Sequence, residues 1–342
     1  MSKTRLNIDA LIFSIDDVLV DVSATYREVV RQTVQLYLEQ AIGLSASKDK
    51  EPLLTADEVT LLQKVGRFSS YWDLAAAFIM YFVERLPPAP VPTFPSKLHV
   101  PNIIAYLQLS GGRLQISLDQ LRRQKDIARL ARDIANAGGG LDGADMAVTK
   151  TNRHLLVEGG DIIKSNLVGR IFQELYLGAD LFERIYQQPP VLAQSTGYIE
   201  HEALLINPQV LAYLKRKLSL GLVSNRPRIE VEHLLKIGDS GPYFQAIVTL
   251  DEINEAGARP LPHPWALLEV ARHLQPTPAR SAYIGANPGD VHAARAANEI
   301  VPFTAIACLA GAHDKEAMRQ EFEAAKANSI LGHPNNLKEL VE

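Results

Sequence analysis

The first patterned stretch of the chain is a short apolar run, Ala10 to Phe13, which gives way to Ser14-Ile15-Asp16-Asp17 and then to a second apolar group, Val18 to Val20. A buried run that closes on polar and acidic residues predicts a strand whose carboxyl end lies at a sheet edge, where open α/β sheets place ligands. From Thr25 the spacing becomes helical, with Val29, Val30, Val34, Leu36, Tyr37 and Ile42 recurring between charged residues through Ala41 and just beyond.

Helical signals continue from there. Thr55 followed by Glu58 predicts a capping box opening DEVTLLQKV, and Ser69 or Ser70 predicts the cap of a helix over Tyr71 to Glu84. That segment, YWDLAAAFIMYFVERL, is the most apolar helical stretch of the chain. It is short and carries Asp73, so it predicts a core or dimer-interface helix rather than a membrane span. Residues 87–95, PPAPVPTFP, cannot continue a helix or pair as a central strand, and predict a stiff extended connector between helical lobes. A charged amphipathic helix is predicted over 118–136 and is stopped by a flexible loop, Gly138 to Gly143; no phosphate-loop lysine follows its glycines. Helical periodicity returns over 164–176, and Pro189-Pro190 marks a further break.

Beyond residue 205 the period alternates. Short β-prone runs (Leu218 to Ser224, Ala246 to Leu250, Ser281 to Gly285, Phe303 to Cys308) are separated by helical segments over 228–237, 264–274, 289–298 and 313–327. This is the βαβα pattern of a largely parallel sheet covered by helices on both faces. Nothing between 25 and 200 supplies partners for the first strand. The predicted fold class is therefore α/β: a Rossmannoid sheet domain built from 1–20 and 205–342, with an enlarged, mostly helical domain over 21–204 inserted after the first strand.

Composition narrows the function. With 47% hydrophobic and 22% charged residues the chain has an ordinary globular make-up, and 35 basic against 39 acidic side chains leave a formal charge of -4. No basic block points to nucleic acid or an anionic membrane. The N-terminal MSKTRLNIDALIF has no apolar core with a cleavage site, no stretch is long and apolar enough to span a bilayer, and a cytoplasmic location is expected. The one cysteine, Cys308, has no partner for an internal disulfide and reads as a buried strand-end thiol. The histidines His201, His233, His263, His273 and His292 are scattered without zinc-ligand spacing; His292, two residues past Asp290, is the one candidate for a pocket histidine.

If the strands are parallel, four polar strand ends gather at one edge: Ser14 and Asp16, Ser224 and Asn225, Arg259, and the loop Gly285 to Asp290. The ordered set resembles the haloacid dehalogenase-like superfamily, in its phosphatase branch with a helical cap after the first strand (subfamily IA-like). The segments that carry the resemblance are LIFSIDDVLVD, GLVSNRPRIEVEHLL, GARPLPHPWALL and YIGANPGDVHAARAA, in order over most of the chain. The resemblance implies an attacking aspartate at Ser14, an acid/base aspartate at Asp16, a phosphate-binding hydroxyl at Ser224 and a lysine at Arg259. It also implies a Mg²⁺ site using acidic residues at Ala286 and Asp290. The Trp72-Asp73 pair resembles a substrate-facing cap segment of related phosphatases.

This chain departs from the pattern at Ser14, Asp17, Arg259 and Ala286. A carboxylate of pKa about 4 can coordinate Mg²⁺ and attack phosphorus at neutral pH, whereas a serine hydroxyl needs a base. Losing the carboxylates at 14 and 286 removes both direct acidic ligands for a hard cation. The expectation from the sequence is thus a non-catalytic pseudophosphatase acting through protein contacts or anion binding. In it, Ser14, Asp16 and Asp290 are vestigial catalytic positions and Ser224, Asn225 and Arg259 bind an anion. No metal is expected, Asp16 and Asp290 being the weak candidates for one. The expected partner is another protein or a small phosphorylated or anionic ligand, with a homodimer as a further expectation and no nucleic acid or membrane. The alternative is a Mg²⁺-dependent phosphatase acting on a small phosphorylated metabolite.

Overall fold

The computed structural model describes residues 6–48, 51–66, 68, 70–193 and 196–341. The chain divides into two compact units, one formed by Met1–Ser23 with Glu202–Glu342, the other by Ala24–His201.

The first unit is built on a six-stranded sheet. In chain order its strands are β1 (Ala10–Ser14), β4 (Ser219–Val223), β5 (Ala246–Val248), β6 (Ser281–Gly285), β7 (Phe303–Cys308) and β8 (Ser329–Leu331). Across the sheet the order is β5-β4-β1-β6-β7-β8, and every pairing is parallel. The near-continuous apolar character of β1, β4 and β6 follows from burial on both faces. β1 is central, and successive strands add to its two sides, so its carboxyl end lies at the point where strand order reverses and a crevice opens. The helices Trp265–His273 and Pro288–Asn298 supply part of one core, where Ile12, Val270, Tyr283 and Ala294 are fully or almost fully enclosed.

Two features escape sequence patterning. A two-stranded antiparallel ribbon joins β2 (Val20–Asp21) to β3 (Ala203–Leu204), strands too short to show a period. β8 is three residues long, and Asn328 joins it to the sheet by donating its N–H to Ala305 O at 2.9 Å and accepting from Ala305 N at 2.8 Å. Residues 246–250 also divide: the strand ends at Val248, and Thr249 caps a short helix, Leu250–Glu255, through a reciprocal box with Glu252. Cys308 is buried at the end of β7, and burial pushes its thiol up to about 11.

The second unit is helical. The capping box forms, Thr55 N–H donating to Glu58 at 2.8 Å and Glu58 N–H to Thr55 at 3.2 Å. Ser70 caps the helix Tyr71–Val83 by accepting from Asp73 N at 3.1 Å; Ser69 lies outside the described residues, as does the start of the N-terminal segment. Leu74 through Val83 are all buried, so this is a core helix of its own unit and offers no apolar face for a dimer. The single helix expected over 118–136 is two, Leu118–Gln124 and Ile127–Asn136, because Asp126 turns the chain and caps the second by accepting from Arg129 N. The expected glycine loop is instead the start of a further helix, Gly140–Ala147.

The proline-rich connector is extended and pinned. Asn152, fully buried, donates to the carbonyls of Val83 and Leu86 at 2.9 and 3.0 Å and accepts from Ala89 N at 2.9 Å. His154 meets Pro90 O at 3.2 Å. Among the described residues no helix is long and apolar enough to cross a membrane.

Candidate functional site

β1 ends at Ser14, and its register fixes what stands beside that hydroxyl. Ser14 pairs with Val223 of β4, while Ile12 pairs with Tyr283 of β6. Residues two apart on a strand share a face, and side chains lean along the strand, so Tyr283 and Ser14 lie on one face of the sheet. The Ser14 side chain pulls the Tyr283 ionisation down, against the burial that raises it. Tyr283 is buried, its hydroxyl donating to Asp290 Oδ1 at 2.8 Å; burial drives its ionisation well above the ordinary range.

Asp290 belongs to the first turn of the helix Pro288–Asn298. Its other oxygen accepts the N–H groups of Ala286 and Asn287 at 3.0 and 3.1 Å, and Asn287 returns the bond by accepting from Asp290 N. This box needs a glycine before it: a Cβ on Gly285 would come within 2.1 Å of Asp290 Cβ. Burial raises the Asp290 carboxyl to about 6, against the lowering effect of the Tyr283 and backbone hydrogen bonds.

Asp16 follows β1 in a tight turn in which Ile15 O accepts the N–H groups of Leu19 and Val20 at 2.9 and 3.0 Å. Its carboxylate is partly exposed and meets the Arg226 guanidinium at 2.6 Å. Arg226 is itself buried, with Glu202 at 3.5 Å on another side. Glu230 completes the group: burial pushes its carboxyl up to about 7, with Arg226 pulling the other way and Asp16 and Glu202 adding to the rise. Three acids thus surround one arginine. A buried guanidinium in that setting is held as a fixed positive charge beside Asp16.

The second motif strand delivers Ser224, buried, whose hydroxyl accepts from Arg226 N at 3.1 Å. Asn225 is tied to the following loop, accepting from Leu261 N at 3.1 Å and donating to Leu261 O at 3.3 Å. Arg259 stands in that loop, exposed, and forms no ion pair with a described residue. The structure therefore brings Ser14, Asp16, Ser224 and Asp290 to one sheet edge and links Asn225 to the loop of Arg259, while the arginine at Asp16 is Arg226. Sequence reasoning missed Arg226, Tyr283, Glu202 and Glu230. The run SNRPR held a signal for the first, since an acid at a strand end wants a nearby cation. Tyr283 in SAYIG held a weaker one, a hydroxyl within an otherwise apolar strand. His292 is exposed, while Trp72 packs edge-on against Phe172 at 6.4 Å and Asp73 serves the first turn of its helix.

The donor set does not fit a resident Mg²⁺ ion. Ser14 offers a hydroxyl and Ala286 a methyl where carboxylates are wanted, both Asp290 oxygens are engaged, and Asp16 faces an arginine. Among the described residues no three His, Cys, Asp or Glu side chains gather as a metal-binding group.

A central parallel strand, a helical insertion after it, and an acid, two hydroxyls and an arginine at its carboxyl end define the architecture of capped hydrolases. A family model for haloacid dehalogenase-like hydrolase matches residues 8–298, and the chain belongs to that family. Among curated proteins, the phosphoglycolate phosphatase of Salmonella paratyphi A is 33% identical over 121 residues, 34% of this chain and 42% of that protein. That of Salmonella typhi is 39% identical over 105 residues, 30% of this chain and 40% of that protein. The matched region spans about two fifths of the length of these relatives. A structural-genomics crystal structure superposes with a TM-score of 0.65 at 20% identity, covering 97% of this chain and 98% of the other. A phosphatase from Thermococcus thioreducens superposes with a TM-score of 0.52 at 19% identity, covering 86% and 90%. At these identities the structures speak for the fold. The curated similarities correct the expectation of a non-catalytic pseudophosphatase: they are to phosphatases, within a hydrolase family, and the pseudoenzyme reading is withdrawn. Its physical premise was incomplete, because it judged the site by two missing carboxylates and overlooked the cation and the buried hydroxyl beside them.

Proposed function

We propose that the chain is a phosphoric monoester hydrolase acting on a small phosphorylated metabolite. The observation that carries the reading is the Asp16–Arg226 pair at the carboxyl end of the central strand, with the Ser224 hydroxyl bonded to the same arginine residue's N–H. Arg226 fixes the Asp16 carboxyl, which is partly open to solvent and placed to move a proton at the leaving oxygen of an ester bound beside Ser224. Asn225 holds the loop that carries Arg259, whose free, exposed guanidinium supplies the positive charge for the phosphoryl group. Similarity to phosphoglycolate phosphatases makes a phosphorylated short-chain hydroxy acid the first substrate to try.

The test is release of inorganic phosphate by the purified full chain from a panel of phosphomonoesters that includes 2-phosphoglycolate. Turnover is expected on at least one member, and Asp16→Asn should lower it on the order of 10²-fold or more, as loss of a general acid–base group does. No release from any member would overturn the reading.

A further inference from the structure

The family's attacking carboxylate is absent at position 14, yet the hydroxyl that replaces it is not isolated. Ser14 and Tyr283 stand on one face of adjoining strands, Tyr283 donates to Asp290 at 2.8 Å, and Asp290 is clamped by two backbone N–H groups in a helix's first turn. The face thus carries, in order, an exchangeable hydroxyl, a buried phenol and the carboxylate to which that phenol donates. That is the layout by which a weak nucleophile is activated by a base held in place by a third group. Tyr283 is 1% exposed and Asp290 4% exposed, so water does not compete for the bond between them.

We propose that Ser14 is the group that attacks phosphorus, its proton drawn off through Tyr283 to Asp290, without a resident divalent cation. This rests on the phosphatase reading above. In the first half-reaction the Ser14 oxygen forms a bond to phosphorus as the bond to the substrate's bridging oxygen breaks. The bridging oxygen leaves with that electron pair and takes a proton from Asp16, which enters the cycle in its acid form. The Ser14 proton moves to Tyr283 as the Tyr283 proton moves to Asp290. In the second, water attacks the seryl phosphate and gives a proton to Asp16, and the Ser14 oxygen leaves and recovers its proton from Asp290 through Tyr283. The alcohol and phosphate are released, and every group returns to its starting state. A seryl ester lacks the activation of an acyl phosphate, so the second half is the slow one, and the alcohol should appear in a burst ahead of phosphate.

The experiment uses the full chain and the best substrate of the phosphomonoester panel, in the presence of a chelator. The expected result is persistent turnover with a burst of alcohol, and a hydroxylamine-stable phosphoryl group on Ser14 in the quenched protein by peptide mass spectrometry. Ser14→Ala should lose burst, adduct and turnover together. Tyr283→Phe, a positioning change, should slow the burst and kcat on the order of 10²-fold with KM unchanged, a split that simple loss of packing would not produce. Ser14→Thr, which keeps a hydroxyl, should restore part of the activity lost in Ser14→Ala. Turnover that survives Ser14→Ala, a hydroxylamine-labile phosphoryl group on a carboxylate, or activity abolished by chelation and restored by Mg²⁺ would each overturn the inference while leaving the phosphatase reading intact. Absence of phosphate release from the whole panel removes both.

Discussion

Asp17 shows how much one side chain can store. It adopts the left-handed region, φ 57°, where a Cβ is disfavoured but Asp and Asn are the best tolerated side chains. Its carboxyl packs against Gly311, where an added Cβ would lie 2.1 Å from Asp17 Cγ. Burial, and Asp16 next to it, push this carboxyl up to about 7, while the Val22 N–H at 3.3 Å works the other way. The unfolded chain gives up this proton first, so the residue costs stability as pH rises from about 4 to 7. Asp17→Asn keeps both the backbone preference and an oxygen for Val22 while removing the charge. Its stability relative to the parent should improve by about 1–2 kcal/mol between pH 5 and pH 8, measured by urea unfolding at the two pH values. An unchanged difference would mean that Asp17 is already ionised in the fold at pH 5, its carboxyl not raised by burial. At this scale the sequence was informative about identity and poor about pairing. Ser14, Asp16, Ser224 and Asp290 were readable from motif order, but that Asp16 faces Arg226 rather than Arg259 depends on which loop turns inward, and no spacing encodes it.

Among elements, the proline connector is the most legible and the most dependent on a remote residue. Its extended course follows from fixed proline φ values, whereas its position follows from Asn152, more than fifty residues later, which satisfies carbonyls on both sides of the helix end. Asn152→Ala strips a buried donor pair and an acceptor at once, leaving backbone groups without partners. A loss of roughly 2–3 kcal/mol is expected by chemical denaturation; a loss under about half a kilocalorie would show that water replaces the amide. The strands β1, β4, β6 and β7 were read within a residue or two because burial on both faces leaves an unbroken apolar run. β2, β3 and β8 were missed because two or three residues carry no period, and their pairing is decided by distant chain. The split at Asp126 was missed for a different reason. Amphipathic spacing continues across it, and only the cap bond to Arg129 N marks the break.

For the molecule as a whole, buried acids set the response to pH. Asp17 and Glu230 sit at about 7 and Asp290 at about 6, each raised mainly by burial, against ordinary values of 3.8 to 4.5. A carboxyl whose folded value is raised holds its proton longer in the native state than in the unfolded chain. Its contribution is therefore whole below about pH 4 and is lost as pH rises toward 7. Glu252 has the opposite sign: burial raises it, but bonds from Arg228 and Thr249 prevail and hold it at about 2, so its contribution is lost only in strong acid. The melting temperature is thus expected to fall between about pH 5 and pH 7.5, and a rise over that interval would contradict the burial of these groups.

The ribbon of β2 and β3 brings the start and the finish of the insertion side by side at the rim of the sheet, Val20 against Leu204 and Asp21 against Ala203. Everything between those two crossings can lengthen, shorten or be exchanged without shifting the register of a single parallel strand. The sheet and the groups at its edge can therefore stay constant through evolution while the intervening chain is remodelled.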